Sequence, residues 1–314
     1  MSGYLLKGQW NTGWYDTTRS GGEFQRSDSQ FRRWVTTDGS SGFKAEPGRY
    51  HLYVSLACPW AHRTLILRRL KALEDIVTVS IVDPVMHDQG WEFSDGAGCI
   101  PDTVNGFRHL HQAYTAADPH YSGRVTVPVL WDKRTANIVN NESAEIIRMF
   151  NSAFDAFTAV KTDFYPQPLR AQIDEVNQFV YRNINNGVYR CGFAGSQSAY
   201  ERAFDPLFSA LDDIERRLER GPHLVGDAVT EADWRLFTTL VRFDAVYYVH
   251  FKCNLRRIAD YTNLSRYLRE LYHVPGVAAT VNMDHIKRHY YLSHPHLNPS
   301  GIVPKGPMLE FERD

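Results

Sequence analysis

Cys58 and Pro59 follow an apolar, alternating stretch at residues 50–56. Alternation predicts a strand, and proline is favoured at the first position of a helix, so Cys58 is predicted to stand between a strand and a helix. The N–H groups and the dipole at a helix N-terminus stabilise a thiolate, which is the reactive form of cysteine. The sequence therefore predicts a nucleophilic thiol at Cys58.

Cys58 has no second thiol on its turn, because the motif that starts there is Cys-Pro-Trp-Ala and its fourth residue is Ala61. In Cys-x-x-Cys proteins the fourth residue resolves a mixed disulfide, so we expect the resolving thiol to come from another molecule. The remaining cysteines are far apart and form neither a metal-binding pair nor a disulfide framework; they are Cys99, Cys191 and Cys253. Such usage is typical of a reducing cytoplasm.

Two further motifs predict a binding site for an extended peptide. In Val127-Pro128, a cis proline would leave the Val127 backbone able to pair with such a peptide. Glu142-Ser143 lies at a predicted helix start, where the hydroxyl and helix N–H groups can bind a carboxylate and Glu142 an ammonium group. A γ-glutamyl peptide presents both groups. Taken alone, each motif also fits an edge-strand proline or a plain helix cap.

The elements that must position these residues occur in the order β-α-β, then α, then β-β-α, which matches the thioredoxin fold. They lie in a domain predicted at residues 49–155. The predicted segments are strands at 50–56, 77–82, 126–132 and 138–139, and helices at 60–73, near 107–117 and from about 142.

The rest of the chain is predicted to be an arm and a helical domain. Residues 1–48 are rich in aromatics without sustained periodicity, which favours an extended arm packed on the body. Beyond 155, apolar residues recur at helical spacing, so residues 156–314 are predicted to be all-helical with a C-terminal tail. The predicted helices cover 173–180, 204–218, a segment opened by a capping box at Thr230, 264–272 and 277–290.

Composition excludes several classes of partner. A formal net charge of −1 gives no electrostatic basis for binding nucleic acid or a membrane surface. The sequence has neither a signal-peptide core nor an apolar run of the roughly 20 residues that a bilayer requires. His285 and His289 have the spacing of metal ligands, but Lys287 and Arg288 lie between them and no acidic ligand follows. We expect a cytoplasmic protein without a metal.

Together these features resemble the glutathione transferases. The segments Asn-Asn-Gly-Val-Tyr at 185–189 and His-Ile-Lys-Arg-His-Tyr-Tyr at 285–291 narrow the resemblance to the Xi class, the glutathionyl-hydroquinone reductases. The Cys-Pro-Trp-Ala-His-Arg motif and the aromatic arm support it, and the resemblance covers essentially the whole chain. It implies a thioredoxin-like domain followed by the helical domain of a glutathione transferase, with glutathione as co-substrate and a homodimer as the assembly.

The resemblance also implies a reaction. Cys58 would attack the sulfur of a glutathionyl-hydroquinone and form a mixed disulfide with glutathione, which a second glutathione would resolve as oxidised glutathione. Tyr189 and Tyr290 would hydrogen-bond the hydroxyls of the aromatic substrate and favour a keto form whose carbon–sulfur bond breaks more easily. His62 and Arg63 are interpreted as structural. The residues implied to hold glutathione are Trp91, Arg124, Val127, Glu142 and Ser143.

Two other functions share part of this pattern. An omega-type thiol transferase or dehydroascorbate reductase has the same Cys-Pro site, but the aromatic arm and the two tyrosine segments argue against it. A non-catalytic module that binds glutathione or a quinone is the other alternative. Replacing Cys58 with serine separates the cases, because a binding module would keep its ligand affinity and a reductase would lose turnover.

Overall fold

The computed structural model describes residues 3–312 and divides the chain into two compact units. The first unit comprises the described residues up to Trp14 together with Ser27–Thr162 and Ala279–Val303. The second comprises Tyr15–Arg26, Asp163–Ala278 and the described residues from Pro304 onward. The domain boundaries predicted after residues 48 and 155 stay a prediction.

The elements are numbered in chain order. The strands are β1 (Gly3–Leu6), β2 (Gln9–Thr12), β3 (Val35–Thr36), β4 (Phe43–Lys44), β5 (Tyr50–Val54), β6 (Val77–Ile81), β7 (Gly123–Arg124), β8 (Val129–Asp132) and β9 (Asn137–Asn140). The α-helices are α1 (Pro59–Leu70), α2 (Leu110–Ala117), α3 (Ser143–Ser152), α4 (Arg170–Val180), α5 (Gly187–Gly192), α6 (Gln197–Leu218), α7 (Glu231–Arg242), α8 (Thr262–Tyr272) and α9 (Met283–Ser293).

A four-stranded sheet in the order β6-β5-β8-β9 forms the centre of the first unit. β5 is parallel to β6 and antiparallel to β8, and β8 is antiparallel to β9. Every residue of β5 is buried, as expected for an inner strand covered on both faces. α1 packs against α3. The predicted thioredoxin-like order is therefore confirmed.

The N-terminal arm contains more regular structure than its lack of periodicity indicates. β1 and β2 form an antiparallel hairpin, and β1 also pairs with β7. Lys7 and Gly8 form the turn with positive φ angles of 50° and 77°. A Lys-Gly turn between strands of four residues lacks the Asn-Gly or Asp-Gly signal by which short hairpins are usually recognised.

The described part of the second unit contains helices and no named strand, which agrees with the predicted helical domain. Thr230 and Asp233 form the predicted capping box at the start of α7. α6 begins at Gln197, seven residues before the predicted start at 204, and is capped by the Ser196 side chain. The first turns of α6 are largely polar, so the spacing of apolar residues could not predict that the helix begins there. Among residues 3–312, no helix has both the length and the apolar character needed to cross a bilayer.

His51 is a buried ionisable group in β5. Its ring nitrogens lie 2.7 Å from the Thr78 hydroxyl and 3.0 Å from the Ser80 hydroxyl. Burial lowers the pKa of His51 from 6.5 to about 4. Because the unfolded chain then binds the proton more readily, the contribution of neutral His51 to stability is present above pH 6.5 and is lost as the pH falls through about 4.

We expect the free energy of unfolding to fall more steeply between pH 6.5 and 4 in the unmodified protein than in a His51→Gln variant. The difference accumulated over this range should reach about 3 kcal/mol, since glutamine can hydrogen-bond but does not titrate. Urea unfolding at a series of pH values measures it. Equal pH slopes in the two proteins would contradict the assignment of a neutral buried His51.

Candidate active site

Cys58 is the N-cap residue of α1, with extended backbone angles (φ −77°, ψ 122°) and Pro59 in the first turn. The predicted strand–cysteine–helix junction is therefore confirmed. The Cys58 Sγ atom donates to the Val127 carbonyl oxygen across 3.5 Å. The Cys58 carbonyl accepts the His62 N–H at 2.9 Å, which begins the helical ladder. The thiol thus lies at the positive end of a twelve-residue helix.

The segment facing Cys58 contains the peptide bond between Val127 and Pro128, which is cis. Val127 immediately precedes Pro128 at the entrance to β8, and its side chain is buried. The structure therefore brings together the thiol and the backbone that the sequence predicted to pair with a peptide.

Glu142 and Ser143 form the start of α3. Glu142 is the N-cap residue, and its carboxylate accepts the Ala144 N–H at 3.0 Å. The Ser143 hydroxyl donates to the same carboxylate at 3.5 Å, and the Ser29 hydroxyl donates to its other oxygen at 3.1 Å. The plain helix-cap interpretation thus describes Glu142 in this structure. Recognition of a ligand by the pair stays a prediction.

Arg63 joins α1 to the start of α3. Its side chain is buried, with 1% of the residue surface exposed, and its Nη1 atom donates to the Ser143 hydroxyl at 3.4 Å. The guanidinium also lies over the Trp60 ring, 4.5 Å from the ring centroid. Sequence reasoning missed the contact with Ser143, because the two residues are separated by 80 positions.

Arg124 connects β7 to the N-terminal arm. Its guanidinium donates to the carbonyl oxygens of Gly13 at 2.7 Å, Trp14 at 2.8 Å and Gly3 at 3.3 Å. It also lies over the Tyr4 ring. These contacts give Arg124 a structural role that the sequence did not indicate, and its contact with glutathione stays a prediction.

Trp91 and Tyr290 both contact His289 of α9. The Trp91 ring stacks on the His289 ring with centroids 4.8 Å apart, and the Tyr290 ring lies edge-on to it at 5.2 Å. His289 is held in place by its Nδ1 atom, which donates to the Pro84 carbonyl oxygen at 2.8 Å. Tyr290 also contacts His294 and is only 1% exposed. α9 therefore brings two of the predicted site residues into one aromatic cluster.

Tyr189 belongs to α5 in the second unit. The Arg26 guanidinium lies over its ring, 4.9 Å from the centroid, and the Arg26 Nε atom donates to the Asn186 side chain at 3.3 Å. Phe193 and Phe251 pack against the same ring. The sequence carried no signal for the contact with Arg26, and a substrate contact of Tyr189 stays a prediction.

Both histidines of the pair on α9, His285 and His289, hydrogen-bond backbone carbonyl oxygens. His285 Nε2 lies 2.7 Å from the Ala97 carbonyl oxygen, and His289 donates to Pro84 as described. Between residues 3 and 312, no cluster of three or more histidine, cysteine or carboxylate side chains has the geometry to hold a metal ion.

The position of Cys58 leads to a prediction about its acidity. We expect the pKa of the Cys58 thiol to lie well below the free-thiol value of about 8.5, because the helix N-terminus stabilises the thiolate. The rate of alkylation by iodoacetamide as a function of pH measures this pKa. A Cys58→Ser variant is the control, since burial raises the pKa of both Cys99 and Cys253 and keeps their alkylation slow near neutral pH. An ordinary pKa for Cys58 would contradict the helix-start argument.

The first unit and its thiol define a class of protein. A thioredoxin-like sheet, a cysteine at the N-terminus of α1 and a cis proline facing that cysteine are typical of proteins that exchange thiols with peptides. Sequence models of the glutathione S-transferase family match both parts of the chain. The N-terminal domain of that family matches residues 57–153, and its C-terminal domain matches residues 197–270.

Individual relatives specify the class further. The chain is 55% identical to glutathionyl-hydroquinone reductase YqjG of Escherichia coli (strain K12), over 99% of this chain and 97% of that protein. It is 56% identical to glutathionyl-hydroquinone reductase PcpF of Sphingobium chlorophenolicum, over 97% of this chain and 96% of that protein.

Solved structures agree with these relatives. The glutathione-bound structure of YqjG has a TM-score of 0.91 at 51% identity and covers 98% of this chain and 97% of that one. The Xi class transferase from Natrialba magadii has a TM-score of 0.93 at 47% identity and covers 100% of this chain and 95% of that one. The chain therefore belongs to the glutathione S-transferase family and, within it, to the Xi-class glutathionyl-hydroquinone reductases.

Proposed function

We propose that this protein reduces glutathionyl-hydroquinones to hydroquinones at the expense of glutathione, through a mixed disulfide on Cys58. The observation that carries the proposal is the single thiol at the N-terminus of α1, with alanine at position 61. A thiol so placed is activated for attack on sulfur and cannot resolve its own product within the motif. The relatives named glutathionyl-hydroquinone reductase, at 55% and 56% identity, support this choice of substrate.

The reaction proceeds in two exchanges. The Cys58 thiolate attacks the sulfur that joins glutathione to the ring, a sulfur–sulfur bond forms and the carbon–sulfur bond breaks. The ring carbon keeps the electron pair and takes up a proton, which yields the hydroquinone. A second glutathione thiolate then attacks the glutathione sulfur of the mixed disulfide, so that oxidised glutathione leaves and Cys58 returns as a thiolate.

The side chains described above have distinct parts in this proposal. Val127 pairs with the extended backbone of glutathione, while Glu142 and Ser143 take its α-amino acid end. The further glutathione contacts are assigned to Trp91 and Arg124. Tyr189 and Tyr290 donate to the ring hydroxyls and favour the keto form, in which the carbon–sulfur bond is weaker. We further propose that the protein acts as a cytoplasmic homodimer.

A substrate comparison tests the function. The protein is incubated with glutathionyl-menadiol and glutathione, and in parallel with dehydroascorbate and glutathione, while oxidised glutathione and menadiol are quantified. We expect equal amounts of both products from glutathionyl-menadiol and a much lower rate with dehydroascorbate. Turnover of dehydroascorbate alone would indicate an omega-type enzyme. Binding of glutathione without turnover of either substrate would indicate a binding module.

A further inference from the structure

We propose that Arg63 is a positioning residue, which acts through Ser143 to make the start of α3 selective for the α-carboxylate of a γ-glutamyl ligand. This inference rests on the proposed use of glutathione. It assigns to a side chain of the Cys-Pro-Trp-Ala-His-Arg motif a task in recognition, where the sequence indicated only a structural one.

The first step of the argument is the position of the charge. Arginine keeps its positive charge in proteins, and Arg63 carries that charge in the interior, with 1% of its surface exposed. A buried charge interacts more strongly with its neighbours than an exposed one, because water screens it less. Its Nη1 atom is 3.4 Å from the Ser143 hydroxyl oxygen, and Ser143 is the first residue of α3.

The second step is the direction of the hydrogen bonds. Because Arg63 only donates, the Ser143 oxygen accepts from it and the hydroxyl proton must point elsewhere. In this structure that proton points to the Glu142 carboxylate, 3.5 Å away. A ligand carboxylate at the start of α3 can receive the same proton. Arg63 therefore fixes Ser143 as a donor toward any anion at this helix N-terminus.

The third step is the balance of charge. Glu142 suits the ammonium group of an α-amino acid, but its negative charge repels the carboxylate of the same ligand. Glu145 in the same turn is paired with Arg32, so its charge is already compensated. The positive end of α3 together with Arg63 offsets Glu142. The start of α3 can then accept an ammonium group and a carboxylate side by side.

The test compares two ligands on variants of Arg63. Calorimetry gives the affinity for glutathione and for an analogue whose γ-glutamyl residue lacks the α-carboxylate. We expect the unmodified protein to prefer glutathione, and Arg63→Gln to reduce that preference roughly tenfold. Arg63→Lys keeps the charge and should keep most of the preference. The matched control is Arg69→Gln on the same helix, an exposed arginine paired with Glu74, which should leave the preference unchanged.

A purely structural Arg63 gives a different result. Arg63→Gln would then weaken both ligands equally, and that outcome overturns the inference. If Arg63→Gln does not fold, Arg63→Met replaces it, because its unbranched side chain fills the buried position without the charge. The preference must fall in that variant, and in a Ser143→Ala background the same change must cause no further loss, whereas independent losses would contradict action through Ser143.

The binding test is independent of the proposed reaction. A protein that binds glutathione with the expected preference but does not turn over glutathionyl-menadiol overturns only the proposed function. A protein that turns over glutathionyl-menadiol while Arg63→Gln keeps the full preference overturns only the inference. An unmodified protein that does not distinguish the two ligands overturns the inference directly.

Discussion

Replacing Cys58 with serine is expected to lower the turnover of glutathionyl-menadiol by on the order of a thousandfold or more, because the nucleophile of the covalent step is lost. A serine hydroxyl at the start of α1 is not ionised near neutral pH and is a far weaker nucleophile toward sulfur. Glutathione affinity should change little, since the other proposed contacts lie on Val127, on α3 and on Trp91 and Arg124. Steady-state rates and calorimetry measure the two quantities.

Cys99→Ser is the matched control for this prediction. Cys99 belongs to the same unit and is half-buried, and burial raises the pKa of its thiol. Its replacement should leave turnover unchanged. Retention of substantial turnover by Cys58→Ser, or loss of turnover in Cys99→Ser, would show that the wrong thiol has been assigned.

Replacing Tyr290 with phenylalanine is expected to lower kcat roughly a hundredfold, because it removes one hydrogen-bond donor from the substrate oxygen at which charge develops. The ring stays, so its packing against His289 and His294 should persist. Because Tyr290 is assigned to the aromatic substrate, glutathione affinity should fall much less than kcat. Steady-state kinetics and glutathione titration provide the comparison.

Tyr291→Phe is the control for Tyr290. Tyr291 is the next residue of α9 and is also buried, and burial raises the pKa of its phenol to about 12. Tyr291 has no part in the proposed reaction, so the loss of its hydroxyl should leave kcat nearly unchanged. Equal losses of kcat and glutathione affinity in Tyr290→Phe would contradict the assignment of Tyr290 to the substrate site.

Local sequence signals account for the parts of the fold and site that could be predicted. The alternation at β5, the proline after Cys58 and the capping box at Thr230 each act within a few residues, and each has the predicted structure. The sequence left open whether the bond before Pro128 is cis, and the structure shows that it is. Local signals of this kind determine which secondary-structure elements form and the order in which they occur.

Contacts between distant side chains could not be predicted in this way. Arg63 reaches Ser143, Trp91 stacks on His289, and Arg124 binds carbonyl oxygens of the arm. Each depends on how separate elements pack, and nothing in the local sequence specifies the partner. The hairpin of β1 and β2 could not be predicted because its strands are short and their sequences show no sustained alternation of apolar and polar residues.

The most direct test of the central claim is to trap the intermediate on Cys58. The protein is mixed with one equivalent of glutathionyl-menadiol without free glutathione, quenched with acid, and examined by intact-mass and peptide mass spectrometry. We predict one equivalent of released menadiol and one glutathione attached to Cys58, which added glutathione then removes as oxidised glutathione. Release of menadiol with Cys58 unmodified, or with the glutathione on another cysteine, would contradict the mechanism.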